Sequence, residues 1–224
     1  MSVLQVEGLR KAFVSPDGET TPIVDIASFA MEPGEQVALE GESGTGKTTF
    51  LHLIAGILQA DAGRIVVQGE EVTALPEAAR DRARAMHMGY VFQTFNLLDG
   101  YSALENVLLG MTFGPGADRG RAQSLLDRVG LSDRMHYKPR QLSVGQQQRV
   151  AVARALANGP ALVLADEPTG NLDRRHAAEA LALIRQSCRD EDAALLLVSH
   201  DPSVLDTFER REKLSELNRA GEPA

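Results

Sequence analysis

The sequence predicts an α/β fold: a mainly parallel sheet, an N-terminal antiparallel β subdomain and an inserted α-helical subdomain. Three observations lead there. Strand-length apolar runs alternate with helix-like segments, the pattern of a parallel sheet covered by helices on both faces. One of those strands runs directly into a glycine-rich loop and a helix, across residues 35–58. Between about 94 and 139 strand patterns vanish while helical ones persist, which reads as an insertion into the α/β core.

Taken in order, LQVEGLRKAF and TPIVDIASFAM read as strands joined by a turn on Pro16, Asp17 and Gly18. EQVALEG is the strand that enters the glycine-rich loop, and KTTFLHLIAGIL is the helix that leaves it. A short strand, GRIVVQG, precedes a helix over 76–86 and a strand, MGYVF. Inside the insertion, ALENVLLG and RGRAQSLLDRVGL are helical and FGPGAD breaks them. A helix opening at Ser143 returns the chain to a buried strand, ALVLADEP. The next helix covers 174–189, with Ala177, Leu181, Ile184 and Cys188 on one face. AALLLVSH is the last strong strand and ends at His200; the polar, helix-prone DTFERREKLSELNRAGEPA that follows offers no recognisable closing strands. The whole of 1–224 is expected to form one domain. Its core with the β subdomain takes 1–93 and 158–210, its helical subdomain 94–157, and a C-terminal tail 211–224.

Composition narrows the function classes. With 224 residues, 43% hydrophobic and 24% charged, the chain has ample material for a buried core. A formal net charge of -8 argues against a general nucleic-acid binder, whose affinity rests on cationic neutralisation of phosphates. Cys188 is the only cysteine, so neither an intrachain disulfide nor a cysteine metal cluster can form, in keeping with a reducing cytoplasm. MSVLQVEGLRKAF lacks the long apolar run of a signal peptide, and ALVLA and AALLLVS are far too short to span a bilayer. Work at a membrane would require a partner.

The strongest motif is Gly41-Glu42-Ser43-Gly44-Thr45-Gly46-Lys47-Thr48-Thr49, which fits G-x-x-x-x-G-K-[ST] between a strand and a helix. Its glycines let backbone N–H groups turn inward around phosphates, Lys47 adds a point charge, and the Thr48 hydroxyl is placed for Mg²⁺. LVLADEP is the second signal: four apolar residues deliver Asp166 and Glu167 to a strand's carboxyl end. Carboxylates are costly to bury there unless they serve a cation or a proton. Asp166 suits the outer shell of Mg²⁺, and Glu167 suits a base that polarises the attacking water. No Asn-Lys-x-Asp guanine reader is present, and the insertion lacks the arginine cluster of a kinase lid.

LSVGQQQRVAVARAL poses a separate question. Ser143 can cap a helix whose free N–H groups and positive dipole end would attract an anion, although a phosphate loop already lies upstream. With this segment added, the sequence resembles the ATP-binding subunit of ABC (ATP-binding cassette) transporters over 3–202. The matching motifs are the phosphate loop, Gln93 in YVFQ, the LSVGQ signature, the Asp166-Glu167 strand end, NLD at 171–173 and His200 in VSHD.

The resemblance implies a P-loop NTPase core of ABC type that binds ATP and Mg²⁺ as a homodimer or pseudo-symmetric dimer. In that family each nucleotide lies between the phosphate loop of one subunit and the signature helix of the other, so Ser143 and the Gly145 N–H would contact the partner's γ-phosphate, with Gln146 part of the same signature in trans. Asp173 would lie at the dimer interface. Gln93 would sense Mg²⁺ and the attacking water, joining Thr48 and Asp166 as metal-site residues. His200 would hold the γ-phosphate. Phe13 aligns with the aromatic that stacks on adenine, with a place in the core as the alternative.

Two departures stand out. Val144 replaces the commoner first glycine of the signature pair, and Glu42 puts an acid in the phosphate loop, where it must point away from the phosphates. TFNLLDGYSALENVLL implies a groove near 95–104 for a membrane permease subunit, with Phe95, Leu97, Leu98, Tyr101 and Leu104 shared between that groove and ordinary packing. PTGNLD, QTFNLL and GYSALENV look most like the branch of lipoprotein-release, macrolide-export and cell-division ATPases. The leading expectation is thus a cytoplasmic ATPase on the inner face of the cell membrane, driving export or lipoprotein extraction through a few-span partner. A regulator of cell-envelope or division proteins that carries no substrate is the alternative. A soluble ABC ATPase of DNA repair or translation is the distant one.

Overall fold

The computed structural model describes residues 2–42 and 44–220. The chain begins with strands β1 (Leu4–Val14) and β2 (Thr20–Met31), joined by the expected turn. Strand β3 (Gln36–Glu40) leads through the glycine-rich loop into helix α1 (Lys47–Ile54). Helix α1 stops earlier than the sequence predicts, because Gly56 turns left-handed at φ 64° just beyond its cap at Ala55. Next come β4 (Ala62–Val67), β5 (Glu70–Glu71), α2 (Glu77–His87) and β6 (Met88–Val91).

The inserted helices follow: α3 (Ala103–Gly110), α4 (Arg119–Arg128) and α5 (Val144–Ala155). Their starts are set locally. Ser102 with Glu105 and Ser143 with Gln146 form reciprocal capping boxes, and the Asp118 carboxylate caps α4. The core then resumes with β7 (Leu162–Asp166), α6 (Arg174–Asp190) and β8 (Ala194–Ser199). It closes with α7 (Pro202–Leu205), β9 (Arg210–Lys213) and α8 (Leu214–Leu217).

Two sheets result. One is antiparallel in the order β2-β1-β4-β5; the other is parallel in the order β6-β7-β8-β3-β9. The parallel sheet is covered on both sides, which is why β8 is buried at every position and reads as an unbroken apolar run. Alternate β8 residues serve opposite cores. Leu196 and Val198 pack with Leu4, Ile26, Phe29 and Phe50 toward the antiparallel sheet. Leu195 and Leu197 pack with Val107, Leu125, Val150 and Ile184 beneath the helices.

Strand β9 corrects the expectation that no closing strand follows His200, and it carries the sheet past the boundary at 210/211 expected between core and tail. It pairs in parallel with β3 from Val37↔Arg210 to Glu40↔Lys213. Its sequence has no apolar alternation because its half-buried positions, Arg210 and Glu212, are satisfied by charge. Arg210 bonds Glu35 at 3.0 Å and Glu212, and lies 5.3 Å from the centroid of the Phe29 ring. A charged edge strand also discourages pairing with another chain. Among the described residues, no helix is long and apolar enough to cross a membrane.

Candidate active site

The strand order decides where the chemistry collects. In the parallel sheet β6, β7, β8 and β3 are consecutive neighbours, so the segments leaving their carboxyl ends converge. These segments carry Gly41 just after β3, Gln93 two residues after β6, Asp166 and Glu167 at the end of β7, and His200 after β8. They meet in a cleft of about 450 Å³ that Gly44, Gly46, Lys47, Thr48, Thr49, Gln93, Asp166, Glu167 and His200 line together with Phe13 and Ile23.

The glycine-rich loop has the backbone its sequence implies. Gly44 and Gly46 adopt φ of 85° and 93°, and a Cβ on Gly46 would lie 2.8 Å from the Ile23 carbonyl oxygen. Glycine is therefore required at 46 both by conformation and by the close approach of β2. Gly41 donates to the Ser199 carbonyl at 3.3 Å, tying the loop to the end of β8, and the Thr45 hydroxyl closes the turn onto the Glu42 carbonyl at 2.9 Å. Ser43 lies outside the described residues. Glu42 is exposed and absent from the residues lining the cleft, in keeping with an acid turned away from phosphates.

At the centre Lys47 meets Glu167: Lys47 Nζ is 2.9 Å from Glu167 Oε1, with the two side chains 9% and 13% exposed. Lys47 also donates to the Gly41 carbonyl at 2.5 Å. His200 Nδ1 lies 2.7 Å from the same carboxylate oxygen, and the Ser199 hydroxyl donates to Oε2 at 3.3 Å. Burial pushes the Glu167 carboxyl up, but the hydrogen bonds and charges of His200 and Lys47 more than offset it and hold it below the usual glutamate value. Asp166 goes the other way. Burial raises it, a hydrogen bond from Thr48 opposes that, and the neighbouring Glu167 charge raises it further. Two adjacent carboxylates are thus shifted in opposite directions by their surroundings. Glu167 itself sits at a left-handed φ of 44°, an uncommon conformation for glutamate and one characteristic of functional sites.

Three segments frame this centre. Asn171 donates to the Gln93 carbonyl at 2.9 Å, joining the segment before α6 to the segment after β6. Gln148, 2% exposed in the middle of α5, donates to the Pro168 carbonyl at 2.8 Å, one residue beyond Glu167. Arg154, also on α5, donates to the carbonyls of Phe95 and Asn96 at 2.6 and 2.5 Å; both have left-handed φ of 49°. The sequence alone does not single out Ser199, Gln148, Arg154 or Ile23 as site residues. The first three are single polar residues whose partners lie far along the chain.

The other sequence-predicted residues stand apart. Ser143, Gly145 and Gln146 form the exposed to half-buried start of α5, and Asp173 caps α6 with its carboxylate 2.6 Å from His176 Nδ1. None of the four lines the cleft. Phe13 does line it, 43% exposed, with Lys11 Nζ 5.7 Å from its ring centroid. The groove expected near 95–104 divides. Phe95 and Leu104 are only 9% and 2% exposed, whereas Leu98 and Tyr101 are 44% and 45% exposed.

The family model described as ABC transporter matches residues 24–170. A lipoprotein-releasing system ATP-binding protein LolD of Hydrogenovibrio crunogenus is 41% identical over 218 residues, covering 96% of this chain and 94% of that protein. LolD 1 of Caulobacter vibrioides is 42% identical over 219 residues, with 96% and 93% covered. Among solved structures, the dimeric post-hydrolysis state of the ATP-binding cassette MJ0796 bound to ADP and Pi superposes with a TM-score of 0.84 at 32% identity, covering 97% of this chain and 95% of that one. The chain belongs to the ABC transporter family, as one of its ATP-binding, ATP-hydrolysing subunits.

Proposed function

We propose that this subunit hydrolyses ATP in the cleft at the carboxyl ends of β3, β6, β7 and β8 to drive a few-span membrane partner that extracts lipoproteins or lipids, working from the cytoplasmic face. The observation that carries the ATPase reading is the Lys47–Glu167–His200 cluster beside a glycine loop at the start of α1. The substrate class rests on the likeness, across nearly the whole chain, to proteins named for lipoprotein release.

The chain's own residues supply the steps. The α1 N-terminus and Lys47 take the phosphates, and Phe13 with Ile23 walls the base. A γ-phosphate oxygen that engages Lys47 draws it from Glu167, whose carboxylate then accepts a proton from the attacking water. Water oxygen bonds to the γ-phosphorus, the bond to the β–γ bridging oxygen breaks, and ADP and inorganic phosphate result. His200 moves from its bond with Glu167 to the γ-phosphate. The Thr48 hydroxyl, Asp166 carboxylate and Gln93 amide oxygen form a hard-oxygen donor set that fits Mg²⁺, and a buried carboxylate raised by desolvation is one that a cation would satisfy. When bound, that ion neutralises charge on the phosphates. Ser143, Gly145, Gln146 and Asp173, away from the cleft of their own chain, complete the partner's site in a dimer. Leu98 and Tyr101 remain available to the membrane partner.

Capture of Glu167→Gln with ATP from solubilised native membranes tests this reading. A copurifying membrane protein with few spans and a large extracytoplasmic domain is expected. Recovery of soluble repair or ribosomal proteins alone would refute the biological role while leaving the ATPase assignment intact.

A further inference from the structure

The segment after β9 does more than close the sheet. The side-chain amide of Asn218, just past α8, bonds two other parts of the chain and also accepts the nearby Ala220 N–H at 3.3 Å. Its Oδ1 accepts the Asp25 N–H at 2.7 Å, and its Nδ2 donates to the Ile23 carbonyl at 2.8 Å and the Thr45 carbonyl at 3.3 Å. Asp25 and Ile23 belong to β2, while Thr45 belongs to the glycine-rich loop. The backbone repeats the link to β2: Asn218 bridges Ile26, and the Arg219 N–H donates to the Asp25 carbonyl at 2.9 Å. Leu214, 1% exposed, anchors α8 in the core between the sheets.

The join lies where the two walls of the cleft meet. Ile23 lines the cleft, its carbonyl is the atom that leaves Gly46 no room for a Cβ, and Asn218 Nδ2 is 3.6 Å from that same Cβ position. Two residues before Ile23, Thr21 pairs across to Phe13. Asparagine alone among residues of its size supplies an acceptor for one N–H and a two-hydrogen donor for two carbonyls. Aspartate would offer no donor and leucine neither.

We propose that Asn218 is a positioning residue for the nucleotide: it fixes the base-side wall of the cleft, Ile23 and through it Phe13, relative to the phosphate loop. The inference rests on the assignment of this cleft to ATP. Its two short bonds go to β2 and only the longer one to the loop, which α1 and the Lys47–Gly41 bond also hold. Losing Asn218 therefore releases the base wall more than the phosphate site.

Calorimetric titration of the full-length chain with ATP and with inorganic tripolyphosphate separates these contributions. Asn218→Ala is expected to weaken ATP about tenfold, the scale of one well-made hydrogen bond, while tripolyphosphate changes less than about twofold. Equal weakening of both ligands, or of neither, would overturn the proposal, since a merely structural role would move them together. Should Asn218→Ala lose its thermal transition, Asn218→Ser, which keeps one hydroxyl, carries the same comparison. Lys47→Ala distinguishes the underlying assignment. If it leaves both ligands unaffected, the cleft is not the nucleotide site; if it weakens both while Asn218→Ala leaves their ratio unchanged, only the role of Asn218 falls.

Discussion

At the scale of single residues, Glu167 is tied to Lys47 and His200 through one carboxylate oxygen, and on the proposed function that contact would compete with phosphate for Lys47. Two consequences follow for Glu167→Gln. Loss of the general base is expected to cut kcat by about 10²–10⁴-fold. Loss of the charge that neutralises Lys47 is expected to tighten ATP binding rather than weaken it. Single-turnover hydrolysis and equilibrium dialysis read the two effects separately, and weaker ATP binding by the variant would show that Glu167 does not compete for Lys47. Lys47→Ala should instead weaken ATP binding, and unchanged affinity would remove the lysine from the phosphate site. The sequence made these residues legible because the chemistry is local: residues 41–49 carry their own spacing, and Glu167 and His200 each close an apolar run. Ser199, Gln148 and Asn218 were not legible, because what each does depends on a partner that only the folded chain brings near.

At the scale of elements, α4, the end of α5 and the turn after α6 are joined by one carboxylate. Glu191 is bonded to Arg121 at 2.5 Å and to Arg128 at 2.6 Å, and Arg121 also donates to the carbonyls of Leu156 and Ala157 at 3.0 and 2.8 Å. Partial burial raises the Glu191 carboxyl, but the two arginines override it and hold it below the usual glutamate value. A carboxylate depressed in the folded state stabilises the fold above the unfolded glutamate pKa of about 4.3, and that contribution is lost as pH falls through the folded value. Glu191→Gln is thus expected to cost about 1–2 kcal/mol near neutral pH, reduced by screening at the exposed Arg128. The difference from the unsubstituted chain should shrink as the solution is acidified. Urea midpoints at a series of pH values would reveal it, and a gap independent of pH would mean that packing rather than charge joins these elements. Patterning governed legibility at this scale too. The buried strands β3, β7 and β8 announce themselves as apolar runs, and the caps at Ser102 and Ser143 mark their helices, but β9 is held by Arg210 and Glu212 and offers hydropathy nothing to find.

At the scale of the whole molecule, the two helix starts that the proposed function assigns to phosphate lie apart in the fold. The start of α1 faces the cleft, while the start of α5 presents Ser143 and an exposed Val144 outside it. On the proposed function one chain holds half of each of two sites; the relative solved with ADP and Pi is described as dimeric. Complementation decides whether this chain works the same way. Lys47→Ala disables only the phosphate loop, and a charge-bearing change at the other helix start, Gly145→Asp, disables only the signature. A homodimer of either variant has no complete site. A mixed dimer has one, built from the intact loop of the second variant and the intact signature of the first. ATP-dependent dimerisation, followed by sedimentation, is then expected only in the mixture. Hydrolysis should return to about a quarter of the unsubstituted rate if the two sites turn over independently, and to less if they are coupled, because random pairing makes about half of the dimers mixed, each with one working site. A mixture as inactive in dimerisation as its components would mean that both helix starts serve a single chain's nucleotide. The separation of α5 from the cleft would then have to be closed by movement of the inserted helices, through the Arg154 and Gln148 contacts that join them to the segments after β6 and β7.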